Sequence, residues 1–225
     1  MSDKTLLSAK HLWREPEHSL AFPFICKYDH PWDILAHIGD IISEIIIGLD
    51  KEKYDCFDGN VWVAKDVKIA PTATINGPCI ICEGVEIRPG AFIRGNVIVG
   101  KDAVVGNSTE LKNCILFDSV QVPHFNYVGD SILGYKSHLG AGAVTSNVKS
   151  DRSLVSVKLG DERIETGRKK FGALLGDFVE IGCNSVLNPG TVVGVNSNVY
   201  PLSSVRGYIP ENSIYKAEGS IVKKV

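Results

Sequence analysis

Residues 61–117 read VWVAKDVKIAPTATINGPCIICEGVEIRPGAFIRGNVIVGKDAVVGNSTELKNCILF. An aliphatic or aromatic residue stands at every sixth position: Val63, Ile69, Ile75, Ile81, Ile87, Ile93, Val99, Val105, Leu111 and Phe117. Two places before each comes a small or β-branched residue, from Val61, Val67, Ala73 and Cys79 through to Thr109 and Ile115. A helix needs apolar residues at three- and four-residue spacing and a simple strand at two, so a strict six fits neither. It fits short strands joined by corners. Each hexad supplies one strand and one corner, three hexads close a triangular coil, and the large aliphatics stack on their counterparts in the neighbouring coils. Each buried Val, Ile or Leu contributes about 1.5–3 kcal/mol, which makes this ladder the core. The spacing returns at Ile181, Leu187, Val193, Val199 and Val205. The expected fold class is all-β, a parallel β-helix over residues 58–225.

Outward from the repeat the pattern changes twice. Residues 1–57 form an N-terminal appendage in which Pro31-Trp32 marks a break and Asp33 a helix start. Ile34, Leu35, Ile38, Ile41, Ile42, Ile45 and Leu49 then recur with helical period, with Gly48 as a stop, so an amphipathic helix is expected over 33–48. Its simplest use is as a cap packed on the first coil, over an open strand edge. Between about 148 and 175 the hexads fail, and Leu154–Leu159, the Gly160-Asp161 turn and Arg163–Glu165 read as a hairpin leaving the wall.

With 24 Lys+Arg against 26 Asp+Glu, the charge balance argues against nucleic acid as a partner chosen by bulk charge. The longest apolar stretch, Ile41–Leu49, is interrupted by Glu44 and far short of the roughly 20 residues that cross a bilayer, so no membrane partner is expected. No signal peptide is read at the start, so the expectation is a cytoplasmic protein whose six cysteines stay reduced.

Val105-Gly106-Asn107, Glu110-Leu111-Lys112, His124-Phe125-Asn126-Tyr127-Val128-Gly129-Asp130, Leu139-Gly140-Ala141-Gly142-Ala143 and Asn147 carry a specific resemblance. From about Val61 to Val205 the chain resembles the acetyltransferase domain of the bifunctional glucosamine-1-phosphate acetyltransferase/N-acetylglucosamine-1-phosphate uridylyltransferases and of related archaeal sugar-phosphate nucleotidylyltransferases. His30–Leu35 resembles the connector that follows the uridylyltransferase domain in these relatives, and the 57 residues before the coils are too few to form that domain. The resemblance implies a left-handed β-helix, although the usual crossover rule favours the other hand. It implies acetyl-CoA as co-substrate, a small-molecule amino sugar phosphate such as glucosamine-1-phosphate as acceptor, and a homotrimer with sites between chains.

Carried over residue by residue, the resemblance makes His124 the general base, a role suited to an imidazole that is mostly neutral at cytosolic pH. Arg88 and Lys112 match the pair that holds the sugar phosphate, and Tyr127 and Lys170 match further substrate contacts. Asn147 falls at an oxyanion and positioning site, and Ala141 and Cys183 where relatives line the acetyl-CoA groove. Two positions depart from the family: His138 stands where a sugar-binding asparagine is expected, and Val148 replaces a tyrosine. Cys183 in place of a serine is a milder change. Taken alone, Arg88 and Lys112 read as solvated corners, Tyr127 as packing, Asn147 as a turn residue, Ala141 as a response to crowding, and Lys170 as part of a solvated Arg168-Lys169-Lys170 run.

Two other readings of such a fold exist. A γ-type carbonic anhydrase needs three zinc-binding histidines, whereas the coils hold only His124 and His138, so no metal is expected. Cys79-x-x-Cys82 has no second pair and reads as core packing. A catalytically inert trimeric β-helix serving as scaffold or regulatory subunit is the non-enzymatic alternative, which acetyl-CoA would leave unaffected.

Overall fold

The computed structural model describes residues 3–217 and 220–224. From Val61 onward the chain winds as a left-handed parallel β-helix with three faces. On the first face Val61 pairs with Cys79 and Cys79 with Val97; on the second, Lys68 with Glu86 and Glu86 with Val104; on the third, Thr74 with Phe92 and Phe92 with Glu110. Three hexads thus make one coil, as the period requires. Many corners turn through the left-handed backbone region at Asn96, Asp102, Asn113, Asn184 and Asn196, residue types that tolerate it.

The ladder expected to end at Phe117 runs differently. Strands Glu110–Leu116 and Tyr127–Leu133 each pass through a corner from the third face to the first, and there the coil shortens by one residue. Leu116, not Phe117, is the counterpart of Val99, and Cys114, not Ile115, follows Val97. Phe117 points away from the bore and is buried against Trp13 and Phe22, at ring distances of 5.4 and 6.4 Å. The inward ladder continues instead through Val122, Val128, Leu133 and Leu139, all fully buried. Across the excursion the coil partners lie 42 residues apart, as in His138 and Glu180, and the register is otherwise kept. The coils also extend past Val205, through Tyr208–Ile209 and Ser213–Ala217.

Where one helix was expected over 33–48, the chain forms a 3-10 helix at Pro31–Ala36 and an α-helix at Ile38–Ile47. Nor does the helix cap the first coil. It lies along the first face, against strands Cys79–Ile81 and Val97–Val99, while Pro31–Ala36 lies against Tyr127–Leu133. The reason is the outward column of that face, Ile80, Ile98, Ile115, Ile132, Leu174 and Val192, whose apolar side chains are buried and need a cover. One strand edge at each end is covered by an antiparallel strand instead, Tyr54–Phe57 on Val61–Ala64 and Ser220–Lys223 on Ser213–Ala217.

Within the excursion, Ser156–Leu159 and Glu162–Glu165 form an antiparallel hairpin turning at Gly160. Val157 and Ile164, directly opposite, are buried, and the hairpin lies on Thr191–Val193 and Tyr208–Ile209 of the first face. Appendage and hairpin together cover that face. The second and third faces stay open to solvent at Gln121, Glu180, Thr74 and Val186. No helix among the described residues is long and apolar enough to cross a membrane.

Candidate active site

His124 ends the strand Gln121–His124 at the corner between the second and third faces and is exposed. Its column is set by register: Asn107 pairs with it in the coil before, the Gly142 N–H donates to its carbonyl at 3.0 Å, and the Asn184 N–H donates to Ala141 O at 2.8 Å. Ala141 and Cys183 are therefore its neighbours in the next two coils, and Cys183 is exposed. Gly140 leaves the space beside them, since a Cβ there would lie 3.0 Å from Cys183 Sγ and 2.7 Å from its backbone nitrogen. Beneath the corner the buried Asn126 accepts the His124 N–H at 3.1 Å and donates to Gly140 O at 2.9 Å and Ala143 O at 3.0 Å. Between them Phe125 is 62% exposed with φ 51°, a conformation costly for a bulky residue. Arg88 lies on the same corner two coils earlier, roughly 10 Å away at the usual strand spacing. Its Nε donates to Glu86 Oε1 at 3.0 Å.

The opposite edge of the third face is organised by Asp130, only 3% exposed. Asn113, Asp130 and Asn147 stack in one column, and the carboxylate accepts from Asn113 Nδ2 at 2.9 Å and Asn147 Nδ2 at 2.5 Å. Lys112 Nζ donates to both its oxygens at 3.2 and 3.1 Å. Asn147 Nδ2 also reaches the Tyr127 hydroxyl at 3.2 Å. Burial, then the nearby Asp130 carboxylate, raises the Tyr127 phenol above its ordinary pKa. Half-buried Arg168 is lowered by desolvation, with Asp130 and Asp33 opposing. Lys170 is exposed, but the next two residues tie the chain here: Phe171 N–H donates to Asn147 O at 3.0 Å and Gly172 N–H to Asp130 O at 2.8 Å.

The structure thus brings Lys112, Tyr127 and Asn147 together, and aligns His124, Ala141 and Cys183 across the third face from them. His138 is apart from Lys112, Tyr127 and Asn147 but lines a cleft with Gly140 and Cys183. It sits on the second face with Nδ1 2.7 Å from Glu180 Oε2. Sequence reasoning overlooked Asn113, Asn126 and Arg168 and gave Asp130 no role. The equal spacing of Asn113, Asp130 and Asn147, one shortened coil each, was the available signal.

All these residues except Asn147's excursion neighbours fall on uninterrupted coils, and residues 75–209 match the family model of the GMPPB C-terminal domain. The chain belongs to the GMPPB C-terminal domain family. Every candidate residue from Arg88 to Cys183 lies inside this matched GMPPB C-terminal domain segment. The chain is 35% identical over 197 residues to the bifunctional protein GlmU of Methanococcus vannielii, covering 86% of this chain and 47% of that one. It is 32% identical over 158 residues to the bifunctional sugar-1-phosphate nucleotidylyltransferase/acetyltransferase of Sulfurisphaera tokodaii, covering 70% and 39%. It spans about half the length of the curated relatives it matches. Among solved structures, the acetyltransferase domain of PglB from Neisseria gonorrhoeae FA1090 in complex with acetyl coenzyme A matches at 15% identity and TM-score 0.34, covering 82% of this chain and 63% of that one.

Proposed function

We propose that this chain is a CoA-dependent N-acyltransferase that moves the acetyl group of acetyl-CoA to the amine of an amino sugar phosphate such as glucosamine-1-phosphate. One observation carries the reading: an exposed histidine heads a small-residue column and faces, across one strand, a lysine- and amide-rich corner. Neutral His124 takes a proton from the acceptor amine as its nitrogen bonds to the thioester carbon. Collapse of the tetrahedral adduct breaks the C–S bond, and the CoA thiolate leaves with the proton returned from the imidazolium. No covalent enzyme intermediate is needed. Lys112 and Arg88 offer cations to the phosphate; Lys112 spends two N–H directions on Asp130 and has a third left. Tyr127 and Lys170 contact the sugar phosphate, and Ala141 and Cys183 line the CoA groove. The sugar-1-phosphate and acetyltransferase names of the relatives support this substrate class.

The same reading calls for a homotrimer working in the cytoplasm. The first face is already covered by the chain's own appendage, so a closed ring of three chains would join the second face of one to the third face of the next. That arrangement would set His138 over a neighbour's Tyr127 and Lys112, which it cannot approach within one chain. It would equally give Asn147, whose amide is committed to Asp130 and Tyr127, a positioning role at the junction.

The test is release of free CoA from acetyl-CoA over a panel of amino sugars, with and without a 1-phosphate, for wild type and His124→Ala. Turnover with one acceptor, lost in the variant, supports the proposal. No turnover and no acetyl-CoA binding would leave the inert trimeric scaffold.

A further inference from the structure

A cavity of about 360 Å³ lies where the excursion hairpin meets the last coils. Its wall combines three cations, Lys158, Arg163 and Arg206, with the apolar side chains of Tyr208 and Ile221 at its mouth. No carboxylate stands among the described lining residues, and none of the three cations makes an ion pair among the described residues. Lys158 and Arg163 are directly opposite across the hairpin, a like-charge pair that works against strand pairing unless an anion joins them. The hairpin is seated by close backbone fit: a Cβ on Gly190 would lie 2.7 Å from Ser156 O, and one on Gly207 2.8 Å from Lys158 O. Both glycines have positive φ, +80° and +74°. Lys158 and Arg163 are therefore held over the cavity by a fitted element, and Arg206 by the coil beneath it. Arg206 also reaches a second cleft at Lys149 and Asn188 and so marks the edge of the third face opposite to Ala141 and Cys183.

We infer that this cavity is a binding site for a nucleoside 5′-diphosphate, separate from the acetyl-CoA groove. The two phosphates bridge Lys158, Arg163 and Arg206, relieving the like-charge pair. The base stacks in the mouth on the half-buried Tyr208 ring, with Ile221 beside it. This site does not rest on the acyl-transfer reading, since it uses none of those residues.

Calorimetric titration of the full chain with ADP and UDP, with pyrophosphate and acetyl-CoA as further probes, tests it. Saturable binding of a nucleoside diphosphate is expected, weakened at least tenfold in Lys158→Ser/Arg163→Ser with the circular dichroism unchanged. Absence of saturable binding, or an unchanged affinity in that variant, overturns the site. Pyrophosphate binding as tightly as ADP overturns the role of the apolar mouth, and displacement of ADP by acetyl-CoA overturns its separation from the CoA groove. Should the double variant lose its fold, Arg206→Gln, on a corner outside the hairpin, gives the same reading.

Discussion

The buried side chain of Asn126 fastens the corner that carries His124: it accepts the histidine's own N–H and donates to the carbonyls of Gly140 and Ala143 in the next coil. The proposed base is thus positioned by a residue two places on and by the coil that bears Ala141. Asn126→Ala removes the side-chain donor of two buried carbonyls, of which Gly140 O keeps the Ala143 N–H at 3.1 Å, a loss of about 1–3 kcal/mol by the usual cost of an unmade hydrogen bond. Because His124 is displaced rather than removed, kcat for CoA release is expected to fall on the order of 10–100-fold, with KM much less affected. Urea unfolding and steady-state kinetics read the two effects separately, and a kcat equal to wild type would remove Asn126 from the positioning of His124.

Gly129 decides where the Tyr127 hydroxyl sits. A Cβ at this position would strike the phenol, so Gly129→Ala drives the ring off Asn147 while the backbone is untouched. A rise in KM for the sugar phosphate of about tenfold is expected with the fold kept, each lost hydrogen bond to a charged ligand being worth about 1.5–3 kcal/mol. Gly106 is the contrast. Its Cβ would strike the backbone carbonyl of Pro123, which cannot swing away, so Gly106→Ala is expected to abolish soluble expression. Equal behaviour of the two variants would contradict both assignments.

The appendage is tested at Trp13. Its ring is buried on Phe117, and its indole N–H donates to Leu175 O at 2.8 Å. Trp13→Ala is expected to cost about 3–5 kcal/mol, the range for large-to-small core changes. It should also raise binding of a hydrophobic dye to the outward isoleucines of the first face. A loss below 1 kcal/mol would mean the appendage is not part of the core.

Much of this was legible in the sequence because the hexads from Val63 to Leu111 repeat without interruption, and phase sets which residues point inward, although in the first coil, at the open end, Ile69 is exposed and Ile75 only half-buried. The phase was lost at Phe117. One residue missing between Leu111 and Leu116 moved an aromatic from the inward ladder to the outward face, where Trp13 covers it. The position of the helix was out of reach for a related reason: an amphipathic stripe shows that a face is covered and not which one. At the site, His124 and Lys112 could be read from residue type and motif. Asn126 could not, because a buried asparagine and a turn asparagine look alike until the carbonyls they serve are placed, whereas Asn113 left only its equal spacing with Asp130 and Asn147 as a signal.

Thiol reactivity separates the cysteines by the same burial logic. Cys26, Cys56 and Cys183 are exposed, whereas Cys79, Cys82 and Cys114 are buried. Desolvation pushes the Cys79 and Cys82 thiols up to about 12, so almost no thiolate exists at pH 8 to attack a disulfide reagent. Native protein is expected to release colour from the three exposed thiols quickly and from the buried three only on unfolding. Acetyl-CoA should slow the reaction of Cys183 and leave Cys26 and Cys56 unchanged. Protection of none would take Cys183 out of the CoA groove.

Asp177 links the appendage to the coils and makes stability depend on pH in a specific direction. It is fully buried and accepts backbone N–H groups from Arg14 at 2.6 Å, Glu15 at 3.3 Å and Tyr135 at 2.9 Å. Desolvation raises its carboxyl pKa, and the three N–H donors only partly oppose this. A raised pKa means that the folded chain binds the proton at a higher pH than the unfolded chain, whose Asp titrates near 3.9. On acidification from neutral pH the folded state therefore takes up this proton first, and the contribution of Asp177 becomes more favourable as pH falls through its folded pKa. It levels off once pH drops below the unfolded value. Asp177→Asn lacks the titration, so the wild-type stability relative to this variant should rise as pH falls towards 4, in urea unfolding series run at matched ionic strength. A difference that falls over the same window would mean that the three N–H bonds outweigh desolvation and that the carboxylate is held charged.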